Sequence, residues 1–305
     1  MMRYSVKSRL FWAGLAPAVT FASSMPHAPT SVPDDASRPI GIFDSGIGGL
    51  TVARAVAQAL PDERLVYFGD TAHLPYGDKS TAAIQAYAVK ICDLLLRQHC
   101  KLILIACHSA SAAAYELVRE YVGSKAKVVN VIDPIVQLVG AQYGGRPVGL
   151  IGTKQTVNSN VYRKKIDELD AGVELHSLAT PLLAPMVEEG FYNNSISGDI
   201  IASYLNNPLL MGIEALLLAC THYPLIQPQI EAYYAGRVAV LDPSDVVAAT
   251  VRDYLHAHGL AAPMRPGGPA PAHHFYVSDF TRSFEESTRL FFGQSVQLEH
   301  YPLWE

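Results

Sequence analysis

Residues 102–109 read Leu-Ile-Leu-Ile-Ala-Cys-His-Ser, and residues 216–222 read Leu-Leu-Leu-Ala-Cys-Thr-His. In each stretch an apolar run ends in a cysteine, and a hydroxyl residue and a histidine follow within two positions. An apolar run of this length, bounded by polar residues, is typical of a strand buried on both faces of a parallel sheet. Ligands of open α/β sheets bind beyond the carboxyl ends of such strands. Cys107 and Cys220 are therefore predicted to lie where an α/β protein presents reactive groups.

The rest of the chain alternates between strand-like and helix-like patterns. Further strands are predicted at residues 40–43, 65–68, 128–132, 148–151, 174–178, 239–241 and 275–277, and a closing helix at 284–292. Strands that alternate with helices indicate parallel βαβ units. The pattern restarts after residue 134, so we predict an α/β fold with two similar domains, whose mainly parallel sheets face each other across an active-site cleft.

We predict a first domain that combines residues 39–133 with 242–305 and a second domain of residues 134–241. Residues 1–38 are predicted to be a leader, because Leu10 to Ala22 is mostly apolar after a basic start, and a Pro- and Ser-rich stretch follows. The leader resembles a secretory signal, although Pro17 interrupts its apolar run and Met25 offers a second start. The apolar run of the leader is too short to span a bilayer, so a membrane anchor is not expected.

The composition restricts the function. Half of the 305 residues are apolar and 17% are charged, so the chain can build a large core. The formal net charge of −5 argues against a nucleic-acid-binding protein, which would usually have a basic face. The cysteines Cys92, Cys100, Cys107 and Cys220 match no zinc-site spacing, so no metal is expected. A structural disulfide framework is not expected either, and reduced thiols in the cytoplasm are the favoured interpretation.

Each of the two strand-end thiols has a candidate helper in the sequence. A free thiol has a pKa of about 8.5, so it acts as a base near neutral pH only when its neighbours assist it. Asp44 follows the strand at 40–43 and can assist Cys107, and His222 can assist Cys220. Two thiols from two halves of a chain can flank one small substrate. Such an arrangement suits the removal of a proton from one face of a carbon and its return to the other face.

Other residues near the predicted strand ends can hold a substrate. The hydroxyls of Ser45, Ser109 and Thr221 are donors for a carboxylate, and the loop that contains Pro75, Tyr76 and Gly77 can offer backbone amides and a phenol. Residues 44–49 form a glycine-rich turn before a helix, which presents N–H groups to an anion. The turn lacks the G-x-G-x-x-G order of a dinucleotide site.

Four motifs resemble those of glutamate racemases. They are residues 41–52 (Gly-Ile-Phe-Asp-Ser-Gly-Ile-Gly-Gly-Leu-Thr-Val), 67–71 with 75–77 (Tyr-Phe-Gly-Asp-Thr and Pro-Tyr-Gly), 185–190 (Pro-Met-Val-Glu-Glu-Gly) and 219–225 (Ala-Cys-Thr-His-Tyr-Pro-Leu). The similarity runs in order from about residue 39 to near the C-terminus. The resemblance implies two α/β domains with the site between them and cofactor-independent interconversion of L- and D-glutamate, which supplies D-glutamate for peptidoglycan. It also implies a cytoplasmic homodimer.

The resemblance implies a role for each candidate. Cys107 serves one enantiomer and Cys220 the other, with Asp44 and His222 as their assisting groups. Glu189, or as second choice Glu188, is a further acid near His222. The remaining candidates hold the substrate; they are Ser45, Pro75, Tyr76, Gly77, His108, Ser109 and Thr221.

His108 departs from the family pattern, in which asparagine follows the first cysteine. Histidine is bulkier and titrates near neutral pH, so substrate choice and pH optimum are open. Three alternatives follow. The first is a racemase of aspartate or another acidic amino acid, and the second is a cysteine hydrolase that uses Cys107 with His108 or Asp44. The third is a binding protein without catalysis.

Overall fold

A computed structural model describes residues 35–305, apart from the side chains of Arg282, Ser283 and Glu286. The predicted leader lies outside the described residues up to position 34. The strands are β1 Ile40–Asp44, β2 Leu65–Gly69, β3 Leu102–Ile105, β4 Lys127–Asn130, β5 Pro147–Gly152, β6 Glu174–Ala179, β7 Ala215–Ala219, β8 Ala239–Leu241, β9 His274–Val277 and β10 Leu298–His300.

The longer helices lie between these strands. They are α1 Leu50–Ala59, α2 Thr81–Arg97, α3 His108–Val122, α4 Ile132–Gln142, α5 Lys154–Asn158, α6 Val161–Asp167, α7 Leu183–Glu188, α8 Ser195–Leu205, α9 Gln227–Tyr234, α10 Ser244–Ala257 and α11 Arg282–Phe292. Within residues 35–305, we find no helix whose length and hydropathy would let it cross a bilayer.

The strands form two parallel sheets. The first has six strands in the order β10-β9-β2-β1-β3-β4, and the second has four in the order β6-β5-β7-β8. Strands β1, β2, β3 and β7 are buried at every position, as expected where helices cover both faces of a sheet. The predicted α/β class with two parallel sheets is confirmed.

Side-chain caps explain where the predicted element boundaries were wrong. The strand predicted at 128–132 stops at Asn130, whose Oδ1 accepts the N–H groups of Ile132 and Asp133 and so starts α4. Asn160, which has a left-handed φ of 55°, separates α5 from α6. The predicted closing helix is followed by β10, which pairs with β9.

The sheets agree in outline with the two predicted domains. Strands β1–β4, β9 and β10 build the first sheet, and β5–β8 build the second. The domain boundaries at 133/134 and 241/242 remain a prediction, and position 133 lies inside α4.

Candidate active site

A narrow cavity lies beyond the carboxyl ends of β1, β3, β5 and β7. Its lining consists of Ser45, Pro75, Tyr76, Gly77, Cys107, His108, Ser109, Thr153, Ala184, Glu188, Ala219, Cys220, Thr221 and His222. The structure therefore brings together most of the predicted site residues, including both thiols. The cavity encloses about 30 Å³, which is room for about two water molecules, so the lining must move apart to admit an amino acid.

Cys107 lies between β3 and α3. The apolar run ends as a strand at Ile105, and Cys107 is the N-cap of α3, with Sγ accepting the Ala110 N–H at 3.4 Å. Its thiol also donates to Ser45 Oγ at 3.7 Å. Burial, and after it the negative charge of Asp44, raises the pKa of Cys107 to about 12, although the contacts with Ala110 and Ser45 act in the opposite direction. Cys107 is therefore a protonated thiol at neutral pH.

Cys220 follows β7 and has a basic neighbour. Its Sγ lies 3.6 Å from His222 Nδ1, and His222 Nε2 lies 2.8 Å from Glu188 Oε1. Burial alone would lower the pKa of His222, but the contacts with Cys220 and Glu188 outweigh it and raise the pKa well above its usual value. The His222 ring is therefore an imidazolium between a thiol and a carboxylate.

The acid beside His222 is Glu188, so the expectation that Glu189 takes this place is wrong. The reason is helical geometry, because residues four apart share a face of a helix and adjacent residues do not. Ala184 and Glu188 both line the cavity from α7. Glu189 is the C-cap residue of α7 and is exposed, as is Pro185 four residues before it.

Asp44 is fully buried at the end of β1. Its Oδ2 accepts the Gly46 N–H at 3.0 Å, and its Oδ1 accepts the Thr221 hydroxyl at 3.4 Å. Burial raises the pKa of Asp44, and the charge of His222 opposes the rise. No hydrogen bond joins Asp44 to Cys107 in the described part of the chain, so Asp44 reaches this thiol through charge and through the turn that carries Ser45.

The glycines of the turn permit close contact between the halves. A Cβ added to Gly48 would lie 2.5 Å from His222 Cε1 and 2.7 Å from Thr221 Oγ1, closer than side-chain atoms can approach. Nearby, the Thr51 hydroxyl donates to the Thr221 carbonyl at 3.1 Å. Any side chain at position 48 would therefore push Cys220 and its neighbours away from β1.

The loop of Pro75, Tyr76 and Gly77 lines the cavity, but the Tyr76 phenol does not face a ligand as predicted. Tyr76 is buried, and its hydroxyl donates to Asp70 Oδ2 at 2.6 Å. The side chain of Tyr76 therefore anchors the loop to Asp70.

His108 begins α3, and its Nδ1 lies 2.7 Å from the Tyr162 hydroxyl of the other half. Burial lowers the pKa of His108 to about 3, so the expectation that it titrates near neutral pH is wrong. In the tautomer in which the Tyr162 hydroxyl donates to Nδ1, the neutral ring carries its proton on Nε2. Nε2 has no hydrogen-bond partner among residues 35–305, and His108 lines the cavity.

Sequence reasoning missed Thr153 and Tyr162. Thr153 Oγ1 lies 2.8 Å from Ser109 Oγ, so the two halves also meet through hydroxyls. The signal for Thr153 was present, because it follows β5 just as Ser45 follows β1. Tyr162 lies on α6 with no motif around it, and only the fold places its hydroxyl at the cleft. Throughout residues 35–305, no three His, Cys, Asp or Glu side chains are grouped as they would be around a metal ion.

Comparison with known proteins points to amino-acid racemases and related isomerases. The model of the Asp/Glu/Hydantoin racemase family matches residues 49–251, which is more than half of the chain. Glutamate racemase from Chlorobaculum parvum is 39% identical over 258 residues, covering 85% of this chain and 93% of that protein. Glutamate racemase from Syntrophus aciditrophicus is 38% identical over 85% of this chain and 94% of its own.

Among solved structures, glutamate racemase from Francisella tularensis in complex with D-glutamate superposes with a TM-score of 0.82 at 36% identity. The superposition covers 88% of this chain and 99% of that one. The chain belongs to the Asp/Glu/Hydantoin racemase family.

Proposed function

We propose that this chain interconverts L- and D-glutamate without a cofactor, using Cys107 and Cys220 as the two acid–base groups. The observation that carries the proposal is that both thiols line one cavity from opposite halves, each at the end of a buried parallel strand. The names of relatives that match 85% of the chain support glutamate as the substrate. The D-glutamate in the Francisella tularensis structure supports it further.

The proton balance of the reaction follows from this placement. One sulfur, as thiolate, takes the α-proton from its face of the carbon, and the C–H electron pair delocalises into the carboxylate. The other sulfur, as thiol, gives its proton to the opposite face. The first sulfur is then a thiol and the second a thiolate, so the enzyme is left ready for the reverse reaction.

The carbanion needs donors where its negative charge develops, because the α-proton of an amino acid is only weakly acidic. The hydroxyls of Ser45, Ser109, Thr153 and Thr221 all lie at the cavity and can donate to the substrate carboxylates. We assign the His108 Nε2–H a further donor role, in the place where the family pattern has an asparagine amide. Because the His108 ring is neutral, it does not repel the positively charged ammonium group of the substrate.

The test is α-proton exchange in D2O without added cofactor, with each glutamate enantiomer supplied separately. We expect deuterium uptake at Cα, measured by NMR, together with loss of optical rotation, measured by circular dichroism, from both enantiomers. Exchange on aspartate but not on glutamate would show that aspartate, and not glutamate, is the substrate. Absence of exchange from both acids would overturn the function in favour of simple binding.

The cysteine-hydrolase alternative finds little support in the geometry. It requires a base for Cys107, yet His108 is directed to Tyr162 and its pKa is too low for it to accept a proton at neutral pH. The Asp44 carboxylate is hydrogen-bonded to Gly46 and Thr221 and not to Cys107 within residues 35–305. Conversion of Cys220 to Ser distinguishes the two functions, since a hydrolase would retain most of its activity and a two-base racemase would lose it.

Three further expectations rest on the family resemblance and on this function. The product D-glutamate would serve peptidoglycan synthesis, which places the enzyme in the cytoplasm, where thiols stay reduced. A homodimer is expected, and sedimentation of the purified chain in an analytical ultracentrifuge distinguishes it from a monomer. N-terminal sequencing of the native protein tests the leader, since a start at Met1 or near Met25 would contradict export.

A further inference from the structure

A buried carboxylate outside the cavity joins the end of the chain to the loop that lines the cavity. Asp70 follows β2 and is fully buried. Its Oδ1 accepts the Ser278 hydroxyl and the Trp304 indole N–H, both at 2.8 Å. Its Oδ2 accepts the Tyr76 phenol at 2.6 Å and lies 3.0 Å from His73 Nδ1. A buried carboxylate is costly unless its oxygens are paired, so these four contacts hold Asp70 in one orientation.

Tyr76 transmits this orientation to the cavity. Its side chain ends on Asp70, while Tyr76 and the next residue, Gly77, line the cavity. A Cβ added to Gly77 would lie 2.9 Å from Thr153 Cβ, so the loop already touches the other half. A rotation of Asp70 would therefore change the gap between the loop and Thr153, where a substrate has to fit.

Trp304 is the contact on Asp70 that comes from farthest along the chain. Its ring meets His73 edge-on with centroids 4.5 Å apart, and Lys90 Nζ lies 4.7 Å from the ring centre. Trp304 is the second residue from the C-terminus and lies outside residues 49–251, which the family model matches. The family model therefore does not extend to this contact.

We propose that Trp304 is a positioning residue for substrate binding, which acts through Asp70 and Tyr76 on the loop of Pro75 to Gly77. This inference rests on the proposed glutamate racemisation for its kinetic part. The indole N–H shares with the Ser278 hydroxyl the Asp70 oxygen that the Tyr76 hydroxyl does not use, so its loss removes one of the contacts that hold the carboxylate in its orientation. The effect is on the fit of the substrate, because neither Asp70 nor Trp304 reaches the thiols.

The first experiment compares Trp304→Phe with Tyr301→Phe. Trp304→Phe removes the N–H and keeps an aromatic ring against His73. Tyr301→Phe is the matched control, because Tyr301 lies in the same C-terminal tail and packs on Phe68 and Tyr276 without contacting Asp70. We expect Trp304→Phe to raise KM for both enantiomers about three- to tenfold with kcat within about twofold, and Tyr301→Phe to change neither.

A double-mutant cycle separates positioning from general destabilisation. Tyr76→Phe alone cuts the link from Asp70 to the loop, so adding Trp304→Phe to it should raise KM no further. Additive effects on KM, or equal KM values for Trp304→Phe and wild type, would overturn the inference.

A third measurement does not depend on the reaction. Amide hydrogen exchange in the peptide that spans residues 74–79 should be at least about threefold faster in Trp304→Phe than in wild type and unchanged in Tyr301→Phe. Equal exchange in the two variants overturns the positioning role even if wild type has another substrate. Absence of glutamate racemisation by wild type, with faster loop exchange in Trp304→Phe, overturns the proposed function alone.

Discussion

The two thiols that share the cavity lie in different electrostatic surroundings. Cys220 is 3.6 Å from His222, whose raised pKa makes it a cation, and Glu188 holds that ring from its other side. Cys107 has no such partner within the described region; its neighbours are the Ser45 hydroxyl, the Ala110 N–H and the charge of Asp44. One thiol thus has a cation beside it, and the other is held as a proton donor.

This difference teaches that the two directions of a two-base reaction need not be mirror images. In the proposed reaction, the enantiomer whose α-hydrogen faces Cys220 meets a sulfur that lies 3.6 Å from an imidazolium. The other enantiomer meets a thiol with a pKa of about 12 and depends on Asp44. Asp44 is itself a base of raised pKa because of its burial, so it can accept a proton more readily than an exposed carboxylate.

The largest expected effect comes from replacing either sulfur. Cys107→Ser and Cys220→Ser should each lower racemisation about 10³-fold or more in both directions, because each direction needs both groups. The difference between the thiols should appear in one-sided exchange, which is exchange of the α-proton of one enantiomer without racemisation. Cys107→Ser keeps the Cys220–His222 pair and should still exchange the α-proton of one enantiomer in D2O. Cys220→Ser should exchange far less of either.

Cys92→Ser is the control for this pair, since Cys92 lies on α2 and does not line the cavity. It should retain racemisation in the folded protein. Equal one-sided exchange in the two cavity variants would remove the distinction between the thiols.

A smaller effect is expected when the carboxylate beside His222 is removed. Glu188→Gln removes the carboxylate that helps to raise the pKa of His222, so the imidazolium should be lost at lower pH. We expect kcat to fall about tenfold in the direction that starts at Cys220, with the alkaline limb of its pH profile shifted toward neutral pH.

The adjacent acid provides the matched control for Glu188. Glu189→Gln makes the same chemical change one residue away on an exposed side chain and should leave kcat and KM within about twofold. If Glu189→Gln were the more damaging variant, the assignment of Glu188 to His222 would be wrong.

The smallest effect concerns stability and tests whether His108 is neutral. The pKa of His108 is about 3 in the folded protein, against an ordinary value of 6.5, so between these values the unfolded chain binds the extra proton. His108 should therefore reduce the free energy of unfolding as pH falls from 6.5 toward 3, by up to about 1.4 kcal/mol per pH unit.

His108→Asn should lose this part of the pH dependence, measured as urea midpoints at pH 7 and pH 5. His256→Asn, at an exposed site on α10, is the control and should keep the slope of wild type. The same slope in His108→Asn and wild type would show that His108 is protonated in the fold.

The sequence was sufficient for the parallel strands and for the thiols at their ends, because long apolar runs that stop at polar residues have few other structures. It was not sufficient to choose between Glu188 and Glu189. That choice depends on the face that α7 turns to the cavity, and a helix of six residues has too weak a pattern to reveal it. The pairing of Ala184 with Glu188 at a spacing of four is the signal that would have helped.

Contacts between distant residues were beyond sequence reasoning for a different reason. The partners of His108 and Asp70 are Tyr162 and Trp304, which stand 54 and 234 positions away. No local pattern marks either partner, since each is an aromatic residue that could equally pack in a core. The three-residue strand β10 was missed because it is short and follows a well-patterned helix.

The order of strands in the first sheet has a consequence for synthesis on the ribosome. β2 pairs with β9, a strand that is translated about 200 residues later, whereas β5 to β8 are contiguous in the chain and complete their sheet without help from either end. The four-stranded sheet can thus be complete while β2 is still an unpaired edge of the six-stranded sheet. An unpaired edge strand can pair with a strand of another chain. A nascent chain that ends before His274 would leave that edge exposed, and we expect it to need a chaperone until the last strands emerge.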